Sequence, residues 1–269
     1  MLSMPTISFR RRCRDERGFT LIETLVAMVC GIIVMGALFA ILEISLKHSN
    51  RQADVVEATQ LGRVTMTRIV DKLHSSCLLA GFNPVLAGST RTTLLLVNAY
   101  SEQAEPALSE VHLDKLVWTE EEAAEGRGTL KDYSYVATSG PNKEGEYTFS
   151  ATANPATGTV IGERIKRGEV LNEATEKKEP ALFSYYVFAS KAATSTSQAS
   201  SALVQTLPEA SGLTAAQASA VSAVEITFNA APSKDTKLWK EISTDQRTQV
   251  TLTFSAPNSE ATLKAGPCE

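Results

Sequence analysis

Arg17-Gly18-Phe19-Thr20-Leu21-Ile22-Glu23 sets a single carboxylate at the head of an apolar run that continues to Leu42. Residues 24–42 hold no charged side chain over 19 positions, and about 20 apolar residues in a helix cross the hydrocarbon core of a bilayer. By length alone, this segment is a membrane helix. The residues before Phe19 carry Arg10, Arg11, Arg12, Arg14 and Arg17 against Asp15 and Glu16, and an excess of positive charge stays cytoplasmic. The rest of the chain is therefore expected on the other side. A carboxylate at the centre of a membrane helix costs roughly 2.5 to 3.5 kcal/mol, so intramembrane acids usually have a partner or a function. Glu23 lies near the helix end, where the cost is lower, and in the first turn the helix dipole favours it. One reading of Glu23 is thus a carboxylate that caps a membrane helix.

A basic leader before an apolar stretch also describes a secretory signal peptide or a plain single-span anchor. Signal-peptide apolar regions run about 7 to 15 residues and end in a small-residue cleavage site; this run is longer and leads directly into a helical pattern. With all its parts coinciding, Gly18-Phe19-Thr20-Leu21-Ile22-Glu23 at the border of leader and helix resembles the processing site of type IV pilins and type II secretion pseudopilins. That resemblance implies cleavage after Gly18 by a membrane-embedded prepilin peptidase, N-methylation of Phe19 as the first mature residue, and a role for Glu23 in assembly, facing the terminal ammonium of a neighbouring subunit.

The helical pattern outlasts the membrane segment. Val55, Ala58, Gly62, Met66, Ile69, Val70 and Leu73 recur at three- and four-residue steps, as on one face of an amphipathic helix, and no proline falls between Phe19 and Leu73. An unbroken helix over that stretch would be about 80 Å long. Gly31 and Gly36 are expected to permit close helix contacts in lipid. After Asn83-Pro84 the character changes to short apolar and β-branched runs punctuated by Gly, Pro, Asn and Ser, the pattern of antiparallel strands. Strands are expected at 92–97, 111–118, 147–151, 159–165, 181–189, 221–229 and 249–255. The clearest alternation is Val224, Ile226 and Phe228, then Val250, Leu252 and Phe254. The amphipathic face from Val55 to Leu73 needs a partner, and a sheet of these strands supplies one, giving an α+β fold.

The whole resembles the pilin fold: a long N-terminal helix, membrane-spanning in its first half and amphipathic in its second, packed on an antiparallel sheet. The expected organisation is a cleaved leader at 1–18, a transmembrane helix at 19–45, its amphipathic continuation at 46–75 and an extracytoplasmic β-rich head at 76–269. Residues 73–84, Leu-His-Ser-Ser-Cys-Leu-Leu-Ala-Gly-Phe-Asn-Pro, and the pair Val224-Glu225-Ile226 and Arg247-Thr248-Gln249-Val250 are similar to W-type minor pilins and J-type minor pseudopilins. The motif resemblance covers residues 17–46, extends more loosely to Pro84, and is architectural beyond. About 185 residues follow Pro84, enough for one head domain. Such a head is large to repeat along a thin fibre, which favours a minor subunit at the tip. Two segments, 119–128 with its glutamates and the Ala/Ser/Thr-rich 190–205, are expected to be surface loops.

The formal net charge is −4. Loss of the leader removes five arginines, Asp15 and Glu16, leaving about −7, and that acidity speaks against direct nucleic-acid binding, which needs a basic surface. Cys13 would leave with the leader, and Cys30 falls in the apolar run. Cys77 and Cys268 remain as an even pair in an oxidising compartment, either bridged by a disulfide or present as two separate thiols. His48, His74 and His112 are the only histidines and show no zinc-site spacing, there is no Cys-x-x-Cys pair, and no Gly-x-Ser-x-Gly or phosphate loop occurs. No catalytic residue, metal or cofactor is expected.

Three functions from different classes follow. The first is a structural subunit, a minor pilin or minor pseudopilin of a type IV pilus or type II secretion-like filament. The second is a pilus-tip adhesin or ligand-binding module delivered on a pilin-like helix, and the third a membrane-tethered enzyme. The resemblance implies as partners a prepilin peptidase, other major and minor pilins or pseudopilins, the inner-membrane assembly platform and the lipid bilayer. It implies a single-pass protein of the cytoplasmic (inner) membrane, leader inside and head periplasmic or extracellular, which then enters a pilus or pseudopilus.

Overall fold

The computed structural model describes residues 20–76, 84–99, 107–121, 126–140, 147–172, 175–190, 201–206, 208, 211–232 and 244–251. It has two compact units, Met1–Asn50 and Arg51–Glu269. One helix, α1 (Leu21–His74), contributes to both. In the first unit every described residue is exposed, including Leu21, Ile32 and Phe39.

The second unit holds the core. Its strands are β1 (Thr93–Ala99), β2 (Val111–Glu120), β3 (Arg127–Ser139), β4 (Thr148–Phe149), β5 (Thr159–Asn172), β6 (Lys177–Ala181), β7 (Phe183–Ser190), β8 (Ser201–Thr206), β9 (Val221–Ala230) and β10 (Thr244–Thr251), with a short helix α2 (Ala215–Ala220) before β9. All pairings are antiparallel. The sheet runs β1-β2-β3-β5-β9-β7-β8, with β10 on β9, β4 on β3 and β6 on β5. β10 pairs along β9 from Ala223 to Ala230, while β7 takes residues from Val221 to Ile226 and β5 takes Phe228, Asn229 and Ala230. Because those spans overlap that of β10, β5 and β7 must abut end to end on the opposite edge of β9. The Thr227 N–H, at the junction, donates to the Leu182 carbonyl at 3.0 Å.

The α+β expectation holds. α1 buries Asp54, Ala58, Gly62, Thr65, Ile69 and Leu73, a 3.6-residue stripe, against a core that includes Leu94, Leu116, Leu130, Ile165, Val224 and Phe228. Met66 and Val70 flank it half-buried. Gly162 of β5 packs against the helix at Thr65. A Cβ built on Gly162 would lie 2.6 Å from both Cγ2 and Oγ1 of Thr65, so only glycine lets the two backbones approach this far.

The strand pattern departs from expectation at several points. Residues 127–139 were not expected to form a strand, yet β3 occupies the middle of the sheet and pairs with both β2 and β5. Of the segment 119–128, Thr119 and Glu120 extend β2 and Arg127 and Gly128 open β3, with Thr119 opposite Thr129; residues 122–125 lie outside the described residues. The Ala/Ser/Thr-rich segment 190–205 contributes β8, paired with β7 from Ser201 to Thr206; residues 191–200 lie outside the described residues. The last expected strand, 249–255, is found earlier, as β10, and residues beyond Thr251 fall outside the described ones.

Candidate functional site

The N-terminal helix starts on Thr20. Its carbonyl accepts from the N–H groups of Glu23 (3.0 Å) and Thr24 (3.2 Å), and its hydroxyl oxygen accepts from the Glu23 N–H at 3.4 Å. Thr20-Leu21-Ile22-Glu23 therefore has the spacing of a capped helix start, with an acid at the third helical position, where freed amides and the dipole favour it. Glu23 is exposed. Gly18 and Phe19 lie outside the described residues, as do Cys77 and Cys268. Cys30 is a free, exposed thiol.

The helix from Leu21 is long and apolar enough to cross a membrane by length and composition, and its apolar stretch is not buried by any of the described residues. Met28, Gly31, Ile32, Met35, Gly36 and Phe39 line a shallow apolar depression along it. A Cβ on Gly31 or Gly36 would meet nothing within 4 Å. Each glycine costs an isolated helix roughly 1 kcal/mol relative to alanine, and no contact among the described residues explains either of them. Small residues at such positions do allow another helix to approach in lipid.

The head buries a charge cluster under the last turn of α1. Lys72 Nζ stands 2.8 Å from Asp114 Oδ2 and 3.0 Å from Asp132 Oδ2, and Asn98 Nδ2 donates to Asp114 Oδ2 at 2.5 Å. Burial pushes the Asp114 carboxyl up, but the Lys72 ammonium and hydrogen bonds from Lys72, Ser134 and Asn98 outweigh it and leave Asp114 below the usual carboxylate range. For Asp132, burial and then the Asp114 charge win over Lys72, so its carboxyl sits above that range. Ser134 Oγ also meets His112 Nδ1 at 3.2 Å. Serine, histidine and aspartate thus lie together, but with the serine hydroxyl between the other two. A nucleophilic triad needs the imidazole in the middle, so the order does not suit acyl transfer. Among the described residues, no group of three histidines, cysteines or acids is placed to hold a metal ion.

Two further polar clusters hold strands together. Tyr186 Oη donates to Glu225 Oε2 at 2.5 Å while Arg247 Nε reaches the other oxygen, tying β7, β9 and β10 across the sheet. Arg91 pairs with Glu179, whose carboxylate also accepts from Asn172 Nδ2 at 2.8 Å and is held below its ordinary range first by that amide. Sequence reasoning singled out none of these three clusters. Their partners are 7 to 88 residues apart along the chain, and only the strand register brings them into contact.

Residues 13–39 match the family model described as the prokaryotic N-terminal methylation motif. The match contains Gly18, Phe19 and Glu23 and supports the prepilin-type family, whose members are structural pilin or pseudopilin subunits processed by a prepilin peptidase and assembled with other pilins. Together with the apolar helix it supports membrane anchoring. No curated protein and no solved structure matches the chain.

Proposed function

We propose that this chain is a minor pilin or minor pseudopilin, related to the W-type or J-type subunits, that acts at the tip or initiation stage of a type IV pilus or type II secretion-like filament. The observation that carries the reading is the coincidence of three features in residues 13–39: the methylation motif, the onset of an apolar helix exposed along its whole first half, and a carboxylate in its first turn. In this reading residues 1–18 are a cytoplasmic leader, 19–45 span the inner membrane, 46–75 continue the helix, and 76–269 form a periplasmic or extracellular head. Prepilin peptidase cuts between Gly18 and Phe19 and Phe19 is N-methylated. Gly31 and Gly36 admit neighbouring pilin helices, which explains glycines that nothing among the described residues requires. The size of the head favours a place at the end of the filament over one repeated along it. A disulfide between Cys77 and Cys268 would tie the C-terminus to the end of the helix.

Co-expression with a prepilin peptidase tests the reading. Intact-mass analysis is expected to give a chain that starts at Phe19 with one added methyl group, and replacement of Gly18 by a bulky residue to leave the leader attached. A mature terminus beyond Ala40 would mean signal-peptide cleavage and end the proposal.

A further inference from the structure

The cluster beneath the last turn of α1 does not balance its charge. Among the described residues, two carboxylates face one ammonium. The Asp114 side chain is fully buried and that of Asp132 is 9% exposed, while Lys72 keeps 26% of its side chain in solvent. Each element around the cluster can be checked for a further cation. On α1, Arg68 lies one turn before Lys72, and its guanidinium is bound to the carbonyls of Val160 and Ile161 at 3.5 and 3.1 Å. β1 contributes the uncharged Asn98, itself fully buried. β2 contributes Asp114 and, beyond it, His112, whose imidazole meets Ser134 of β3. β5 places Thr159 opposite Asp132. The two carboxylates do not share Lys72 on equal terms. Asp114 also has the amide of Asn98 and a hydrogen bond from Ser134, whereas Asp132 is held by Lys72 alone among the described residues; the Oδ1 atom is buried in both.

We propose that Lys72, Asp114 and Asp132 form a proton-operated latch between the helix and the sheet, in which Asp132 is the surplus charge and takes up a proton on mild acidification. A buried carboxylate short of a partner opposes folding while it is ionised. Once neutral, it leaves a matched Lys72–Asp114 pair, and its hydroxyl can donate where the carboxylate could only accept. The sign follows from linkage. A carboxyl whose folded-state affinity for the proton exceeds that of the unfolded chain adds stability as pH falls toward the ordinary carboxylate value of 3.8. Asp114 acts in the opposite sense, and its contribution is lost below that value. The grip of the sheet on the end of α1 therefore tightens from neutral pH toward the upper edge of the carboxylate range and fails below it. This depends on the packing of the head alone and not on the assembly role proposed above.

The test is thermal unfolding of the full chain in detergent micelles at pH 7.5 and 5.0. Asp132→Asn is nearly isosteric and is expected to melt higher than the parent at pH 7.5, with the gap narrower at pH 5.0. Asp114→Asn is expected to melt lower at both. Repeating the comparison in a His112→Asn background removes the other titratable group beside the cluster, and the pH-dependent gap should survive. If Asp132→Asn melts lower than the parent at pH 7.5, if the gap does not change with pH, or if it vanishes in the His112→Asn background, the latch is wrong. A second measurement needs no substitution: carboxyl-carbon NMR should find one aspartate titrating above the ordinary range, and its assignment to Asp114, or the absence of any such titration, overturns the proposal.

Discussion

Glu23 can be explained in two ways that a single substitution does not separate. As the third residue of a helix that begins after Thr20, it gains from the positive end of the dipole; as a charge on an exposed apolar helix, it waits for an opposite charge from another molecule. Valine removes both effects, whereas glutamine keeps the capping chemistry and removes only the charge. Glu23→Val and Glu23→Gln are both expected to insert and to be cleaved, since loss of a carboxylate lowers the cost of entering lipid. Both are expected to fall at least about tenfold in sheared filaments relative to the membrane fraction, because one unpaired buried charge costs more than the roughly 1.4 kcal/mol that a tenfold change represents. Assembly of the glutamine variant at the parental level would leave the cap as the reason for this residue. Gly18, by contrast, has its argument in sequence alone: a small residue at the junction of a basic leader and an apolar helix.

At the scale of elements, the contact between α1 and β5 turns on one missing methyl group. Gly162→Ala would put a Cβ 2.6 Å from Thr65 and 2.5 Å from Ile165 Cδ1, and overpacking of this kind typically costs 1–3 kcal/mol. Thermal or urea unfolding should show a loss of that size, partly restored by Thr65→Ala on the facing helix; an unchanged midpoint in Gly162→Ala would mean that the two elements are less closely packed than this. α1 itself was legible because its apolar period is long and unbroken, and the positions Ala58, Gly62, Ile69 and Leu73 expected on its inner face are buried. β9 was legible by alternation: Val224, Ile226 and Phe228 all lie in the core. β3 was not, and its burial pattern shows why. The positions that alternate inward are Gly128, Leu130 and Asp132, one apolar residue between a glycine needed for close approach and an acid paired with the helix. A hydropathy pattern has no way to register a strand whose inner face is built from a backbone contact and an ion pair. The Tyr133-Ser134-Tyr135-Val136 run, with its high strand propensity, was the signal that could have found it. The candidate site divides in the same manner: the contiguous motif around Glu23 was readable, while Lys72, Asp114 and Asp132 become a group only once β2 and β3 are in register.

For the molecule as a whole, the division after Asn50 separates a segment with no buried residue of its own from one that holds the core. Every described residue from 20 to 50 is exposed, so removing that segment takes away an apolar surface that drives aggregation in water. Residues 51–74 are different. They carry Ala58, Ile69 and Leu73 into the core and bring Lys72 to Asp114. Burial of each large aliphatic side chain is worth about 1.5–3 kcal/mol, and exposing the matching face of the sheet adds to the loss. Against a typical domain stability of about 5–15 kcal/mol, that sum is decisive. The chain 51–269 is therefore expected to be soluble and monomeric and to unfold in one cooperative transition, whereas 75–269 should be insoluble or lack a cooperative transition. Circular dichroism melts and size-exclusion chromatography of the two fragments decide the matter. If 75–269 melts as cooperatively and at the same temperature as 51–269, the second half of α1 is a passenger on a self-sufficient sheet, and the view of it as the central packing element of the head fails.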